Sequence, residues 1–379
     1  MLPTDAPFVE AQTQSWHLCL NEMDSPSFMQ LLQKMPKLKR FIFSLDNWRS
    51  RVLHDPEKFQ ELGSFALEQL EISYFAPINN YDGSSLMPNI TLPTTLKTLS
   101  IKIFLYKRSN SHDPSLTLFT RIQALPQLLE LTCNVEQDFD VGQKSENAYK
   151  IFFQNLPISL TKLRCTLLQA EFINFSTEDF QQLWSNLAKC ERLAEFELTI
   201  FFQRYGLAMS PFTIPILIKG DESVKLPSIE YFHITSLSNP LDYESILSML
   251  DKKKLKSISI ASNKYFKEID AKWLFAKIQV FENIRYLALK WIPIGEIDQS
   301  VYEAIRDCLL KLRLLQYVDL ILEISKCVDP IIISMELTEI FRRRNLKKAM
   351  MVAQNSWNNG SRERLNSLNK STEMHSSID

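Results

Sequence analysis

Apolar positions along this chain follow two alternating rhythms. The first is a six-residue phrase in which positions one, four and six are apolar. It opens at Leu38, Leu67, Leu96, Leu128, Leu160, Leu193, Ile229, Leu255, Ile284 and Leu315. Successive openings lie between 26 residues (Ile229 to Leu255) and 36 residues (Leu193 to Ile229) apart. A fixed period of a few tens of residues marks a solenoid, in which each unit buries its apolar face against its neighbours. Inside a phrase the side chains alternate as they do in a strand: Leu160, Leu163 and Cys165 point inward, Lys162 and Arg164 outward. Leu193, Phe196 and Leu198 stand in the same relation to Glu195 and Glu197. The second rhythm is helical, over residues 177–189, 242–251, 270–281 and 298–312. Three of these stretches open with Asp and one with Thr, residues that cap helix N-termini. Strand, turn, helix, turn, repeated about ten times, predicts an α/β solenoid with one parallel sheet.

The segment Leu187-Ala188-Lys189-Cys190-Glu191-Arg192-Leu193-Ala194-Glu195-Phe196-Glu197-Leu198 carries a resemblance. Together with the ten phrases in register, it resembles the leucine-rich-repeat superfamily over residues 15–340, nearest to the cysteine-containing and ribonuclease-inhibitor-like repeats. The resemblance implies a solenoid with its parallel sheet on the concave face. It also implies non-catalytic recognition of a protein partner on that face. Regular members carry Asn just after the strand, where its amide satisfies turn backbone groups. Here that position holds Asp46, Phe75, Phe104, Glu136, Leu168, Phe201, Leu237, Asn263, Ile292 and Glu323. Only Asn263 fits, so irregular turns without an Asn ladder are expected. Glycine, 7 residues in 379, is scarce for tight corners.

The pattern divides the chain into an N-terminal cap (1–37), the solenoid (38–328), a C-terminal capping helix with a basic end (329–351) and a disordered tail (352–379). In the cap, Trp16, Leu18 and Leu20 read as an edge strand and residues 27–35 as a short helix. Residues 75–93, with Pro77, Pro88, Pro93 and Asp82-Gly83, read as loop. The longest irregular insertion, 203–227, accompanies the widest spacing.

Bulk properties add bounds. With 45% hydrophobic and 23% charged residues and a net charge of −1, the chain has an ordinary globular composition. No uncharged apolar run is long enough for a membrane span, and the start carries no signal-peptide pattern. The expected location is therefore cytoplasmic, or nuclear through the basic cluster, and not secreted. Cys133 and Cys165 take inward positions on consecutive strands and are expected as reduced core thiols. The stretch from Phe341 holds eight Lys/Arg and three acids, so charge is biased toward the C-terminus.

Catalytic signatures are missing. There is no HExxH, GxSxG, GxxxxGK[ST] or GxGxxG, and the five histidines lack metal-ligand spacing. Asp138 and Asp140 read as a solvated turn. The expectation is a non-enzyme without cofactor or metal. The informative surface is the outward face of the sheet. Its third-position row reads Arg40, Gln69, Thr98, Glu130, Lys162, Glu195, Tyr231, Ser257, Tyr286, Tyr317, and its fifth-position row Ile42, Glu71, Ser100, Thr132, Arg164, Glu197, His233, Ser259, Ala288, Asp319. Tyrosine buries a large rigid area and keeps a polar tip, so Tyr231, His233, Tyr286, Lys290, Tyr317 and Asp319 form the candidate partner-binding patch. The alternating charges of the central rungs are expected to pair across adjacent strands. Arg342, Arg343, Arg344, Lys347 and Lys348 form a secondary basic segment, which reads as a solvated helix end, a nuclear-import signal or a peripheral membrane contact. An acidic solenoid body without interleaved basic and aromatic residues weighs against nucleic acid. The alternatives to a monomeric protein-binding scaffold are a substrate-recognition adaptor of a ubiquitin ligase, and a structural or membrane-proximal component recruited through the basic segment.

Overall fold

The computed structural model describes residues 15–19, 32–35, 37–45, 62–76, 91–107, 114–139, 148–169, 177–202, 218–236, 241–262, 269–327, 337, 339–342, 346 and 348–355. Twelve strands pair in sequence order into one sheet. They are β1 (Ser15–Cys19), β2 (Arg40–Leu45), β3 (Gln69–Ala76), β4 (Thr98–Lys107), β5 (Glu130–Phe139) and β6 (Lys162–Gln169). The second half comprises β7 (Glu195–Phe202), β8 (Tyr231–Ser236), β9 (Ser257–Ala261), β10 (Tyr286–Ile297), β11 (Tyr317–Cys327) and β12 (Lys348–Asn355). Every pairing is parallel. Among the described residues, the longer helices between strands are α1 (Pro114–Ile122), α2 (Ala148–Gln154), α3 (Thr177–Lys189), α4 (Tyr243–Ser248), α5 (Ala271–Ile278) and α6 (Gln299–Lys311). Strand, crossover and parallel strand in strict succession is an α/β solenoid.

The register follows the phrase. Arg40, Gln69, Thr98, Glu130, Lys162, Glu195, Tyr231, Ser257, Tyr286 and Tyr317 are successive pairing partners. A one-residue slip would turn a whole apolar set to the open face, and burial forbids it. Positions four and six fill the core: Leu99 and Ile101, Leu131 and Cys133, Leu163 and Cys165, Phe232 and Ile234 are all at most 1% exposed. From the helix side Phe119, Phe152, Phe180 and Trp184 complete the same core. Phe119 meets Phe152 edge-on at 5.1 Å between ring centres, and Trp184 meets Phe196 on β7 at 5.8 Å. Cys133 and Cys165 are free buried thiols paired in register, and burial pushes both well above the ordinary thiol range.

Local signals in the sequence account for the helix starts. Asp242, Asp270 and Asp298 are N-caps of α4, α5 and α6, accepting from the backbone N–H of Ser245, Trp273 and Val301. No Asn ladder is seen among the described residues, and Asn263 lies outside them. Polar side chains join the rungs at the residue just before four of the phrases. Thr95 Oγ1 donates to the Leu67 carbonyl at 2.7 Å and Ser159 Oγ to that of Leu128 at 2.6 Å. Ser228 Oγ donates to the Glu191 carbonyl and Asn283 Nδ2 to that of Lys253. In β10, Pro293 and Gly295 coincide with register shifts against β11, where a missing N–H and a missing side chain loosen the ladder.

The described end of the insertion, from Ile218 onward, is built into the body. Ile218 bridges to Leu241 and Leu226 to Leu250, and both Ile218 and Leu226 are buried. Trp184 Nε1 donates to the Lys219 carbonyl at 2.8 Å, and the Gly220 N–H donates to Ser245 Oγ at 2.8 Å. Gly220 is required by close approach, because a Cβ there would lie 2.6 Å from the Ser245 carbonyl group.

The two ends compare differently with expectation. β1 carries Trp16 and Leu18 of the expected edge strand; of the short helix over 27–35, only Leu32–Met35 are described. At the other end, the capping helix does not run to Met351, and residues 352–355 of the expected tail belong to a strand; residues 356–379 lie outside the described residues. Leu337 and residues 339–342 are helical, and Lys348–Asn355 then form β12 in register with β11. The physical reason lies in an eleventh phrase, Leu346-Lys347-Lys348-Ala349-Met350-Met351, 31 residues beyond Leu315. Ala349 stands where other phrases carry a bulky apolar side chain. Lysine, alanine and methionine are also good helix formers, which conceals the strand.

Candidate functional site

Outward positions three, five and seven of each strand make the open face of the sheet, and its character changes along the solenoid. From β3 to β7 it is charged, and most of its charges pair with one another. Glu71 pairs with Lys102 at 3.0 Å, Lys162 with Glu195 at 2.6 Å and Arg164 with Glu197 at 3.3 Å, each across adjacent strands. Arg40 and Glu130 have no ion-pair partner among the described residues. Such half-exposed pairs contribute little to stability, but each balances the charge of its own two members.

From β8 to β11 the face is aromatic. His233 lies nearly parallel to Tyr286, 6.3 Å between ring centres with planes 10° apart. Tyr286 meets Tyr317 at 6.2 Å, tilted by 43°. His233 is on β8 and Tyr286 on β10, two rungs apart, with β9 between them. They meet because β9 offers only Ser257 and Ser259 on these rows. Ser257 is itself buried, and its Oγ lies 3.1 Å from His233 Nε2. Tyr231 stands on the same face, 40% exposed and outside this run of rings.

One ion pair flanks the rings. Lys290 Nζ lies 2.8 Å from Asp319 Oδ2, joining β10 to β11. Its bond to the Asp319 carboxylate holds the ammonium above the usual lysine range. Asp319 Oδ1 is buried and has no hydrogen-bond partner among the described residues. Burial pushes the His233 imidazole below its ordinary range, against an opposing pull from Glu197 and Glu195, while Arg164 adds to the lowering. His233 is therefore neutral at pH 7, and the patch presents stacked rings with one internally balanced pair of charges.

Of the six residues singled out by sequence, the structure brings His233, Tyr286 and Tyr317 into one run and joins Lys290 to Asp319. Tyr231 shares the face but not the run. In the basic segment, the side chain of Arg342 pairs with Glu339 at 2.8 Å, Lys348 opens β12 opposite Tyr317, and Arg343, Arg344 and Lys347 lie outside the described residues. Sequence reasoning named Lys290 and wrote out Ser257 in its row, but missed that the smallness of Ser257 lets the rings meet and that Lys102, in the same seventh-position row as Lys290, pairs with Glu71. Both were legible by extending the row two residues further and noting its smallest members.

Among the described residues, no group of three or more His, Cys, Asp or Glu could hold a metal ion. Among the same residues, no helix is long and apolar enough to cross a membrane. No family model matches the chain, and no curated protein matches it. Among solved structures, a match covers 90% of this chain and 58% of the other, at 13% identity and a TM-score of 0.23. That structure is the crystal structure of the TLR13-ssRNA13 complex, and this chain spans less than two thirds of its length.

Proposed function

We propose that this chain is a non-catalytic scaffold that binds a protein partner on the open face of β8–β11. Tyr231, His233, Tyr286, Tyr317 and the Lys290–Asp319 pair form the contact surface. The observation that carries this reading is the run of rings itself. Three rings fixed by stacking and by the sheet beneath them stand on a face whose neighbouring charges are already paired. Rigid aromatic area that loses little entropy on binding is what interface hot spots are made of. The finer kinship, to the cysteine-containing and ribonuclease-inhibitor-like repeats, rests on the Leu187–Leu198 segment and on the free, buried Cys190 that directly follows α3.

The test is affinity purification from cells with the wild type and a Tyr231→Ala/Tyr286→Ala/Tyr317→Ala variant whose circular dichroism matches the wild type. Loss of particular partners from the variant is the expected result. Recovery of the same partners by both proteins would remove the open face from the account.

A further inference from the structure

The turns that lead from the helices into the strands all lie along one edge of the sheet, because the strands are parallel. Along the turns entering β9, β10 and β11 (residues 251–256, 279–285 and 310–316), this edge is strongly basic. The turns hold seven cations (Lys252, Lys253, Lys254, Lys256, Arg285, Lys311, Arg313) and two carboxylates, Asp251 and Glu282. Asp251 Oδ1 accepts from the backbone N–H groups of Lys253 and Lys254, so it shapes the turn. Lys256 is held by Glu230 at 2.6 Å. Lys252, Lys253, Lys254, Arg285 and Arg313 are exposed, with no side-chain partner among the described residues. The chain carries a net charge of −1, so these five exposed cations on one edge are a local excess of positive charge.

Exposed aliphatic side chains stand among these cations. Val280 is 38% exposed, Leu310 46% and Leu314 45%. Lys311 Nζ bonds Gln279 Oε1 at 3.0 Å, which places the Val280 and Leu310 ends of α5 and α6 on adjoining rungs. Farther along the same edge, Leu129 and Ile158 are exposed on turns that carry no charge. In the sequence, Arg344 and Lys347 hold the repeat positions that Arg313 and Gln316 hold one unit earlier.

We infer that this edge docks the molecule on an anionic lipid bilayer. The lysine and arginine heads would lie among acidic headgroups, and Val280, Leu310 and Leu314 would reach the boundary with the acyl chains. Turn tips in a parallel solenoid form a row about 4.8 Å per rung, which a planar surface meets all at once. Cations beside small apolar groups are the combination that an interfacial contact uses. A surface for single-stranded nucleic acid would carry aromatic platforms among the cations; here Phe281 is buried and the exposed apolar groups are aliphatic, which suit acyl chains rather than phosphates. These residues are separate from the aromatic patch, so the inference stands or falls independently of it.

The experiment is co-sedimentation of the full chain with phosphatidylcholine vesicles, with and without roughly one third phosphatidylserine. Wild type should bind only the acidic vesicles, and less as salt rises. Each cation near such a surface changes partition about fivefold, so Lys252→Glu/Lys253→Glu/Lys254→Glu should lower it at least about a hundredfold. Leu310→Ser/Leu314→Ser should weaken binding without changing its salt slope, and Tyr286→Ala should bind as wild type. Arg285→Ala/Arg313→Ala provides a second charge variant, and thermal unfolding confirms that each variant is folded. Equal binding to both vesicles, no binding to either, or undiminished binding by the folded charge variants would overturn the inference. Capture of polyglutamate without vesicle binding would also overturn it and reassign the edge to an acidic protein.

Discussion

On β9 the outward rows carry two serines between the histidine of β8 and the tyrosine of β10, and the geometry of the patch depends on that gap. The same residues set a pH response. His233 is held below its ordinary 6.5 by burial, with Glu197, Glu195 and Arg164 the charges that act on it. Above 6.5 both the folded and the unfolded chain carry it neutral, so its contribution is constant there. As pH falls through 6.5 the unfolded chain takes up the proton first, and stability drops until the folded imidazole also protonates. The unfolding midpoint should therefore fall on acidification below about 6.5, and His233→Gln should fall less over that range; identical curves would contradict the burial argument. At Gly220 the constraint is steric. Gly220→Ala drives a methyl group into the Ser245 backbone of α4 and should cost about 1–3 kcal/mol in denaturant unfolding. Gly63→Ala is the contrast. The new methyl meets Thr91 Cγ2, which rotation can move, and comes no nearer than 3.3 Å to backbone, against 2.6 Å at Gly220, so it should cost less.

At the scale of elements, helix starts were legible because their chemistry is local. Asp242, Asp270 and Asp298 announce α4, α5 and α6 by side chains that bond backbone N–H groups three residues on. Asp270→Ala should destabilise by about 1 kcal/mol, while Asp270→Asn leaves the unfolding midpoint nearly unchanged. Strand register was legible for a related reason, since Leu163 and Cys165 can be buried only with Lys162 and Arg164 outward. β12 was hidden because Ala349 is a weak apolar marker and the basic run around it favours a helical reading. What supports the turns was also hidden. Thr95, Ser159, Ser228 and Asn283 bond the preceding rung through different side chains, so no single residue type repeats. Ending the chain after Arg342 removes β12 and bares the edge of β11 from Tyr317 to Ile324. Hydrogen exchange across β11 should then quicken, and light scattering should show concentration-dependent association through the open edge. Unchanged exchange would mean that β12 contributes nothing to the sheet.

At the scale of the whole molecule, one sheet presents two chemically separate surfaces. The open face passes from paired charges on β3–β7 to stacked rings on β8–β11, and the turn edge of β9–β11 gathers unpaired cations. This division follows from the fold. Parallel strands put outward side chains in rows and turn residues in another row, so each row can vary without disturbing the core. The candidate patch was partly legible because tyrosines at the third position are conspicuous; the balance of charge around it emerged only once the pairing partners were in place. A ringed patch whose flanking charges, Glu195, Glu197 and the Lys290–Asp319 pair, are already engaged should recognise its partner through aromatic contact and shape, with little electrostatic steering. The most direct test is the affinity, at low and at high salt, of the partner recovered with the wild type and lost with the tyrosine variant. The account predicts a dissociation constant nearly independent of salt, raised at least about a hundredfold by Tyr286→Ala/Tyr317→Ala in the folded protein. An affinity that collapses with salt and ignores the tyrosines would contradict it, and would move recognition from the ringed face to the basic edge.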